Sequence, residues 1–345
     1  MAAPSKTLEI DALIIGAGPV GLFQAFELGL LGVSAHIVDA LPEAGGQCIA
    51  LYADKPIYDI PGIKVCSGRE LVARLLDQVA PFKPKLHLSQ TVDNISAQPD
   101  GRYRVATSTG QVFLARSILI AAGVGAFQAR KLHLPGLEVF EGTQVHYQTQ
   151  AIAAAKGKSI VIIGGEQAAL EAAAGACDSL ARSVTLVHRR DVLHADADTL
   201  ARIAAHRSNG RLRFVAGQAN SCKGKARLHT VCVIDTDEQE IALKLDQLWV
   251  FLGLSPKLGP VAQWGLDMER KQLSVDTASF STSAPGIFAV GDINHYPGKK
   301  KLILCGFHEA TLAAFGAMQY IRPGEAVALQ YTTTSTKLHK ALGVA

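Results

Sequence analysis

The sequence predicts an α/β protein built from two similar domains, the second inserted into the first. An apolar strand, a glycine-rich turn and an apolar helix follow one another near residue 15 and again near residue 163. A further apolar strand lies far downstream, near residue 288, as expected if the chain returns to the first domain. Strands that alternate with helices are typical of parallel sheets. The 345 residues are enough for two such domains.

The first unit has the order of elements that a dinucleotide-binding motif requires. Residues 10–15 predict a buried strand, residues 16–21 read G-A-G-P-V-G, and residues 22–31 predict a helix. A second strand, residues 34–38, is followed by an acidic residue 18 positions after the last glycine. The G-x-G-x-x-G pattern alone is weak evidence, and this context makes it specific.

Each residue of this motif has a physical role. Gly16 permits the sharp turn out of the strand, and Gly18 lets the backbone approach a pyrophosphate. Gly21 lets the helix pack closely on the strand, while the helix N-terminus faces the phosphate charge. The carboxylate of Asp39 is expected to accept hydrogen bonds from ribose hydroxyls. We therefore expect a Rossmann-like dinucleotide site in the first domain.

The second unit repeats this order with one departure. Gly164 and Gly165 begin the turn, but Glu166 stands where the second glycine of the motif would be. A carboxylate facing a pyrophosphate is unfavourable, so the unit is either a working nucleotide site or a structural relic. Arg189 and Arg190 follow the next strand, where the first unit has its acidic residue. This pair predicts a clamp for a 2′-phosphate, and hence NADP(H).

Two glycine-containing stretches predict where the chain passes between the domains. Residues 123–125 read G-V-G and indicate a linker, and the strand that ends before Asp292 indicates the return. We expect the first domain to span residues 1–124 and 285–345. The second domain is then expected to span residues 125–284.

Composition excludes several classes of function. The formal charge of +4 comes without a basic stripe interleaved with aromatic residues, so nucleic acid is a poor candidate ligand. None of the six cysteines forms a C-x-x-C pair, which argues against a zinc knuckle and a redox dithiol. The short polar N-terminus and the lack of a long apolar run predict a soluble cytoplasmic protein without membrane contact.

Several segments together resemble the thioredoxin reductase-like flavoproteins. These segments are the two glycine-rich turns, residues 188–191 (H-R-R-D) and the strand that ends in Gly291 and Asp292. A thioredoxin reductase proper needs a C-x-x-C dithiol, so the chain is more similar to the ferredoxin/flavodoxin–NADP⁺ reductases of that group. The segments with this resemblance are residues 45–47, 51–55, 125–127, 264–267, 291–293, 306–310 and 331–335.

The resemblance implies cofactors, partners and site residues. It implies FAD in the first domain, NADP(H) in the second, a ferredoxin or flavodoxin as electron acceptor, and a homodimer. The positions that the family uses to contact FAD are Asp39, Gln47, Tyr52, Val92, Phe127, Asp292 and Thr333. Tyr331 lies in a C-terminal tail that covers the flavin in this family, often from the partner subunit, with an aromatic ring stacked on it. The other reading of this tail is a flexible polar end.

The expected chemistry is hydride transfer from NADPH to FAD, followed by one-electron steps to a small redox protein. One alternative is an FAD-binding redox sensor or binding protein with impaired nicotinamide use, which Glu166 favours. Another is a disulfide reductase that uses cysteines distant in sequence.

Three further features allow two interpretations each. The run from Lys299 through Lys300 to Lys301 either guides an acidic partner to the flavin or is plain solvated surface. His308 and Glu309, at a predicted helix N-terminus, either tune the flavin or cap the helix. Cys48 is expected to be a small buried hydrophobe rather than a redox group.

Overall fold

The computed structural model describes residues 7–147, 152–325 and 330–344. The chain forms two compact units. The first consists of Met1–Ala126 with Pro256–Ala345, and the second of Phe127–Ser255. The predicted α/β fold, with one domain inserted into the other, is confirmed.

The helices and strands follow in chain order. The helices are α1 (Pro19–Leu30), α2 (Gln47–Ala50), α3 (Gly68–Val79), α4 (Gln167–Asp178), α5 (Ala197–Ser208), α6 (Ile303–Ile321) and α7 (Thr336–Leu342). The strands are β1 (Leu8–Ile15), β2 (Ala35–Val38), β3 (Pro56–Ile57), β4 (Cys66–Ser67), β5 (Lys85–His87), β6 (Val92–Ala97), β7 (Tyr103–Thr107), β8 (Val112–Ile120), β9 (Ala126–Ala129), β10 (Val145–His146), β11 (Ser159–Ile163), β12 (Ser183–His188), β13 (Leu212–Gly224), β14 (Leu228–Asp235), β15 (Glu240–Lys244), β16 (Gln247–Val250), β17 (Leu254–Lys257), β18 (Met268–Glu269), β19 (Gln272–Ser274), β20 (Ile287–Ala289) and β21 (Asn294–His295).

The first unit is organised around one sheet with the strand order β5-β2-β1-β8-β7-β6, in which β20 also pairs with β8. The strands β5, β2, β1, β8 and β20 are parallel, whereas β7 and β6 are antiparallel. Ile15 lies level with Val38 on one side and with Ile120 on the other. The turns that follow β1, β2 and β8 therefore meet at one edge of the sheet.

The sheet of the first unit is covered on both faces, which explains why β1 reads as a nearly continuous apolar run. Successive residues of a strand face opposite sides. Ile14 accordingly packs in the core that includes residues of α1, α3 and α6. Leu13 packs on the other face, in a core that includes Val261, Leu266 and Leu273.

The second core also corrects the expected domain boundary. The return crossing was expected near residue 285, but the chain rejoins the first unit at Pro256. The reason is that residues 261–273 supply three buried side chains to the first unit's sheet. The sequence shows no glycine-rich turn in this stretch, so nothing local indicated its partner.

The second unit contains a sheet with the order β10-β16-β11-β12-β13-β14-β15. The first five strands are parallel, and β13, β14 and β15 form an antiparallel meander. Ile163 lies level with Val187 and Val250, so the turn after β11 begins at the carboxyl edge of this sheet.

Helix α1 begins at Pro19, three positions before the expected start at residue 22. Gly18 is its N-cap in an extended conformation, and proline at the first helical position has a φ angle suited to the helix and lacks an N–H that would be unpaired there. Among the residues that the structure describes, no helix combines the length and apolar character needed to cross a membrane.

Candidate functional site

The turn after β1 is shaped by two glycines that cannot carry a side chain. The backbone N–H of Gly16 donates to the carbonyl of Val38 at 2.8 Å and so joins the turn to β2. Gly16 has φ +111°, and a Cβ atom there would lie 2.4 Å from the carbonyl oxygen of Ala121. A Cβ atom on Gly21 would lie 1.9 Å from the carbonyl oxygen of Gly16. The turn therefore requires glycine at both positions.

A second glycine loop lies against this turn. The N–H of Gly45 donates to the carbonyl of Ala17 at 2.8 Å. A Cβ atom on Gly46 would lie 3.0 Å from the Cα atom of Gly18, which is the N-cap of α1. Two side-chain-free backbones and a helix N-terminus thus meet at one point, and this arrangement fits a bound pyrophosphate.

Asp39 links the glycine turn to the end of β2. One carboxylate oxygen accepts from the N–H of Ala17 at 2.6 Å, and the other accepts from the N–H of Leu41 at 2.8 Å. Burial raises the pKa of this half-buried carboxyl, and the two backbone N–H groups oppose that shift. The N–H of Gln90 donates to the carbonyl of Asp39 at 3.0 Å, which brings the start of β6 alongside. Val92 begins that strand, with its side chain buried in the core.

Gln47 and Asp292 come together although 245 positions separate them in sequence. Gln47 is the first residue of α2, and its side-chain amide donates to the carboxylate of Asp292 at 3.4 Å. A Cβ atom on Gly123 would lie 3.1 Å from the same amide nitrogen. This polar pair lies next to the glycine loop, because Gln47 directly follows Gly46.

Tyr52 is half-buried, and its hydroxyl accepts from the thiol of Cys48 at 3.6 Å. Burial raises the pKa of both groups. Cys48 is fully buried within an apolar core. It is therefore a small buried hydrophobe, as expected from the sequence.

Two expectations about the segment after β21 are wrong. Lys299 is not part of a surface patch, because its side chain is 6% exposed and forms an ion pair with the fully buried Glu309. Glu309 does not cap a helix, because α6 begins at Ile303 and Glu309 lies in its second turn. Lys300 and Lys301 remain exposed, so the basic run is divided between the interior and the surface.

The remaining residues expected at FAD lie in the crossing strand and the tail. Phe127 lies in β9, and its side chain is outside the described part of the chain. Tyr331 is 67% exposed, and Thr333 is also exposed. The tail ends in α7, whose Leu338 is buried and which lies against the short 3₁₀ helix Ala80–Phe82. The contacts of these three residues with FAD stay predictions.

In the second unit, Gly164 repeats the geometry of the first turn. Its N–H donates to the carbonyl of Val187 at 3.0 Å, and a Cβ atom on it would lie 2.7 Å from the Cβ atom of Ala169. Glu166 is the N-cap of α4 in an extended conformation, and its side chain is exposed. Glu166 thus occupies the same place in its unit as Gly18 does in the first, which agrees with the alignment made from the sequence.

The loop after β12 lies over this second turn. A Cβ atom on Gly165 would lie 2.5 Å from the ring of His188, and the N–H of His194 donates to the carbonyl of Gly165 at 2.8 Å. Burial lowers the pKa of His188, and Arg189 and Arg190 lower it further, while the negative charge of Glu166 opposes the shift. Both arginines are exposed next to the turn, as a 2′-phosphate clamp requires. The contact of His188 with Gly165 was missed, because a sequence does not show which way a ring points.

The chain matches the model of the family described as pyridine nucleotide-disulphide oxidoreductase over residues 11–310. It is 54% identical over 352 residues to a ferredoxin–NADP reductase of Paracidovorax citrulli, covering 99% of this chain and 98% of that one. It is 55% identical over 341 residues to a ferredoxin–NADP reductase of Albidiferax ferrireducens, covering 98% and 96%. A solved thioredoxin reductase of T. acidophilum has the same fold, with a TM-score of 0.56 at 22% identity, covering 90% of this chain and 98% of that one.

Proposed function

The chain belongs to the pyridine nucleotide-disulphide oxidoreductase family, and we propose that it is an FAD-dependent ferredoxin–NADP⁺ reductase. The observation that carries this proposal is the similarity to ferredoxin–NADP reductases along almost the entire chain. The geometry supports it, because each unit has a glycine turn and a helix N-terminus at the carboxyl edge of a parallel sheet.

FAD is assigned to the first unit and NADP(H) to the second. The glycine loop at Gly18 and Gly46 is proposed to hold the pyrophosphate of FAD, and Asp39 its ribose. Gln47 and Asp292 are proposed to hold the ribityl chain. In the second unit, Gly164 and Gly165 with Arg189 and Arg190 are proposed to hold the phosphates of NADP(H).

A bound FAD would supply the chemistry that links hydride transfer from NADPH to one-electron transfer to an acceptor. The role proposed for these side chains is to bind and orient the two cofactors. Tyr52 offers a half-buried ring for stacking, and Asp292 offers a carboxylate to a hydroxyl donor. The reaction requires no protein nucleophile.

Four of the six cysteines argue against a disulfide reductase, whereas Cys222 and Cys305 are partly exposed. Thiol–disulfide exchange needs an accessible thiolate. Cys48, Cys66, Cys177 and Cys232 are buried, and burial raises the pKa of the first three thiols. The sequence contains no C-x-x-C pair. These four thiols are therefore shielded from exchange.

A second candidate function is an FAD-containing redox sensor that uses NADP(H) poorly. Glu166 favours it, because a carboxylate at the N-cap of α4 repels a phosphate there. The exposed pair Arg189 and Arg190 favours the reductase.

The partners are proposed on the same basis. Ferredoxin or flavodoxin is the proposed electron acceptor, with the exposed Lys300 and Lys301 attracting its acidic surface. A cytoplasmic homodimer is proposed, in which the tail with Tyr331 and Thr333 reaches the flavin of the partner subunit.

Anaerobic mixing of the yellow protein with NADPH and then NADH tests the function. Rapid bleaching of the flavin absorbance by NADPH, with much slower bleaching by NADH, is expected, followed by reoxidation with ferredoxin or flavodoxin. If dithionite reduces the flavin and neither nucleotide does, the reductase is excluded and the sensor is favoured.

A further inference from the structure

Gly291 is held by a buried ion pair through both of its backbone polar groups. Its N–H donates to the carboxylate of Glu309 at 2.7 Å, and its carbonyl accepts from the ammonium of Lys299 at 2.8 Å. Lys299 and Glu309 also pair with each other. Gly291 has φ +79°, a conformation that glycine adopts readily and other residues rarely do. The pair therefore fixes the residue directly before Asp292.

The carboxylate of Glu309 is satisfied by four donors. Besides Lys299 and the N–H of Gly291, the amide of Asn294 donates to it at 2.8 Å and the hydroxyl of Tyr296 at 2.9 Å. Burial, together with the hydrogen bond to this carboxylate, raises the pKa of Tyr296 to about 12. Each of these donors lies in the segment between β20 and α6, so the contacts of Glu309 hold that segment against α6.

Stability alone does not account for this cluster. A buried ion pair is often no more stabilising than apolar residues of the same volume. Most of the buried positions of α6 are filled by alanine, methionine or isoleucine, and Glu309 is the charged exception among them. In this ion pair, the carboxylate accepts from a backbone N–H and the ammonium donates to a backbone carbonyl. An apolar pair can form neither hydrogen bond.

Because Asp292 directly follows Gly291, fixing Gly291 also affects the proposed flavin contacts of Asp292. Asp292 follows Gly291, and its carboxylate accepts from the amide of Gln47. The carbonyl of Asp292 accepts from the amide of Gln272 at 3.0 Å. Gly291 is fixed, and the carbonyl of Asp292 is fixed as well. Asp292 therefore has little freedom to turn away from Gln47.

We propose that the Lys299–Glu309 ion pair is a positioning device for the cofactor, which holds Asp292 in place opposite Gln47. This inference rests on the assignment of FAD to the first unit. The pair is also neutral as a whole, so it positions the turn without adding net charge beside the flavin. Lys299 and Glu309 are positioning residues that act through Gly291 and Asp292.

Two variants of the holoenzyme and one matched control test the proposal. Glu309→Gln removes the carboxylate that faces Lys299, whereas Lys299→Met removes the ammonium and leaves Glu309 with its three other donors. Lys300→Met makes the same change at the adjacent exposed lysine. The rate of FAD release is followed by the fluorescence of free FAD, and the midpoint potential of the bound flavin by dye-linked titration.

FAD release is expected to be about 10- to 100-fold faster in both variants, as for loss of a partner to a buried polar group, and unchanged in Lys300→Met. The uncompensated ammonium in Glu309→Gln is expected to raise the midpoint potential, because it favours the more negative reduced flavin. Lys299→Met is expected not to raise it. If Glu309→Gln does not fold, Lys299→Met decides the question by its FAD release.

Release rates and potentials like those of the unaltered protein would overturn the proposal. Faster release with an unchanged potential in Glu309→Gln would also overturn it, since that is the result of a merely structural role. A purified wild-type protein that binds no FAD would instead refute the proposed function, so the two failures are distinguishable.

Discussion

Gly46 and Gly18 approach each other so closely that a Cβ atom on Gly46 would lie 3.0 Å from the Cα atom of Gly18. They come from two loops that follow different strands, and neither loop alone forms the cradle. The cradle therefore depends on the absence of a side chain at Gly46, which lies against the N-terminus of the helix that is proposed to face the pyrophosphate.

Gly46→Ala is expected to release FAD about tenfold faster or more, because its methyl group pushes the two loops apart. The left-handed backbone, with φ +53°, adds strain of about 1–2 kcal/mol. Gly32→Ala is the control, since Gly32 has φ +71° with no atom within 4 Å of the added Cβ. Gly32→Ala therefore also places a side chain at a positive φ, but without the clash. Equal FAD release rates in the two variants, measured by fluorescence, would contradict the role of the cradle.

Asp39→Ala is expected to weaken FAD binding and to destabilise the first unit. The change removes the acceptor for the N–H groups of Ala17 and Leu41, and such a loss costs about 1–3 kcal/mol. Asp93→Ala serves as control, because Asp93 is an exposed carboxylate in β6. Urea unfolding and FAD titration of both variants check the expectation. If Asp39→Ala gave the same results as Asp93→Ala in both measurements, Asp39 would not be part of the FAD site.

Glu166→Gly is expected to lower the KM for NADPH by about three- to tenfold, because it removes a negative charge next to the phosphate position. Glu166 is the N-cap of α4 with an extended backbone that glycine also adopts, so the helix start is retained. The gain should shrink as salt is added. Steady-state kinetics at two ionic strengths measure it, and FAD release serves as the internal control. An unchanged KM at low salt would mean that the carboxylate points away from the nucleotide.

Replacing Arg189 and Arg190 together by alanine is expected to reduce the preference for NADPH over NADH by about 10- to 100-fold, since charge-assisted hydrogen bonds to a phosphate are lost. Arg213→Ala is the matched control, because Arg213 is an exposed arginine on β13 of the same unit. The ratio of kcat/KM for the two nucleotides is the measurement. A ratio that falls equally in the control would show a general charge effect rather than a clamp.

The unfolding free energy is expected to fall as the pH drops below about 6.5, in part through His36 and His87. Their rings share a hydrogen bond of 2.9 Å, which needs one donor and one acceptor and so fails when both rings are protonated. Burial lowers the pKa of both, and the charges of His87 and Lys85 lower that of His36 further. The unfolded chain therefore binds these protons more readily, and the stabilisation is complete only above pH 6.5.

Urea unfolding between pH 7.5 and 5, compared between the unaltered protein and His87→Gln, measures this contribution. The variant should lose less free energy of unfolding over the interval. His308→Gln, at an exposed position of α6, should behave like the unaltered protein. Parallel pH profiles for all three proteins would rule out the histidine pair as a source of the pH dependence.

Local patterns predicted the elements that a single segment determines. The strand before Gly16, the acidic residue at position 39 and the repeated turn at Gly164 all lie where the spacing placed them. They are predictable because strand, turn and helix are adjacent in sequence, and because glycine and aspartate have few physical alternatives there.

Long-range partners were not predictable from the same patterns. Lys299 looked like surface because it stands in a run of three lysines, and only the fold shows that Glu309 lies opposite it. The sequence around Val261 and Leu273 does not indicate which sheet these side chains cover. The contact between Gln47 and Asp292 was likewise invisible in sequence, although the resemblance named both residues separately.

The insertion of one unit into the other also sets an order of assembly during synthesis. Phe127–Ser255 is a continuous stretch, so this unit can fold as soon as it has left the ribosome. The first unit must wait for β20 to complete its sheet and for α6 to cover it. Nascent chains that stop before residue 321 are therefore expected to contain a complete second unit and an incomplete first unit. If the first unit holds FAD as proposed, FAD binding is expected to be a late event in the synthesis of the protein.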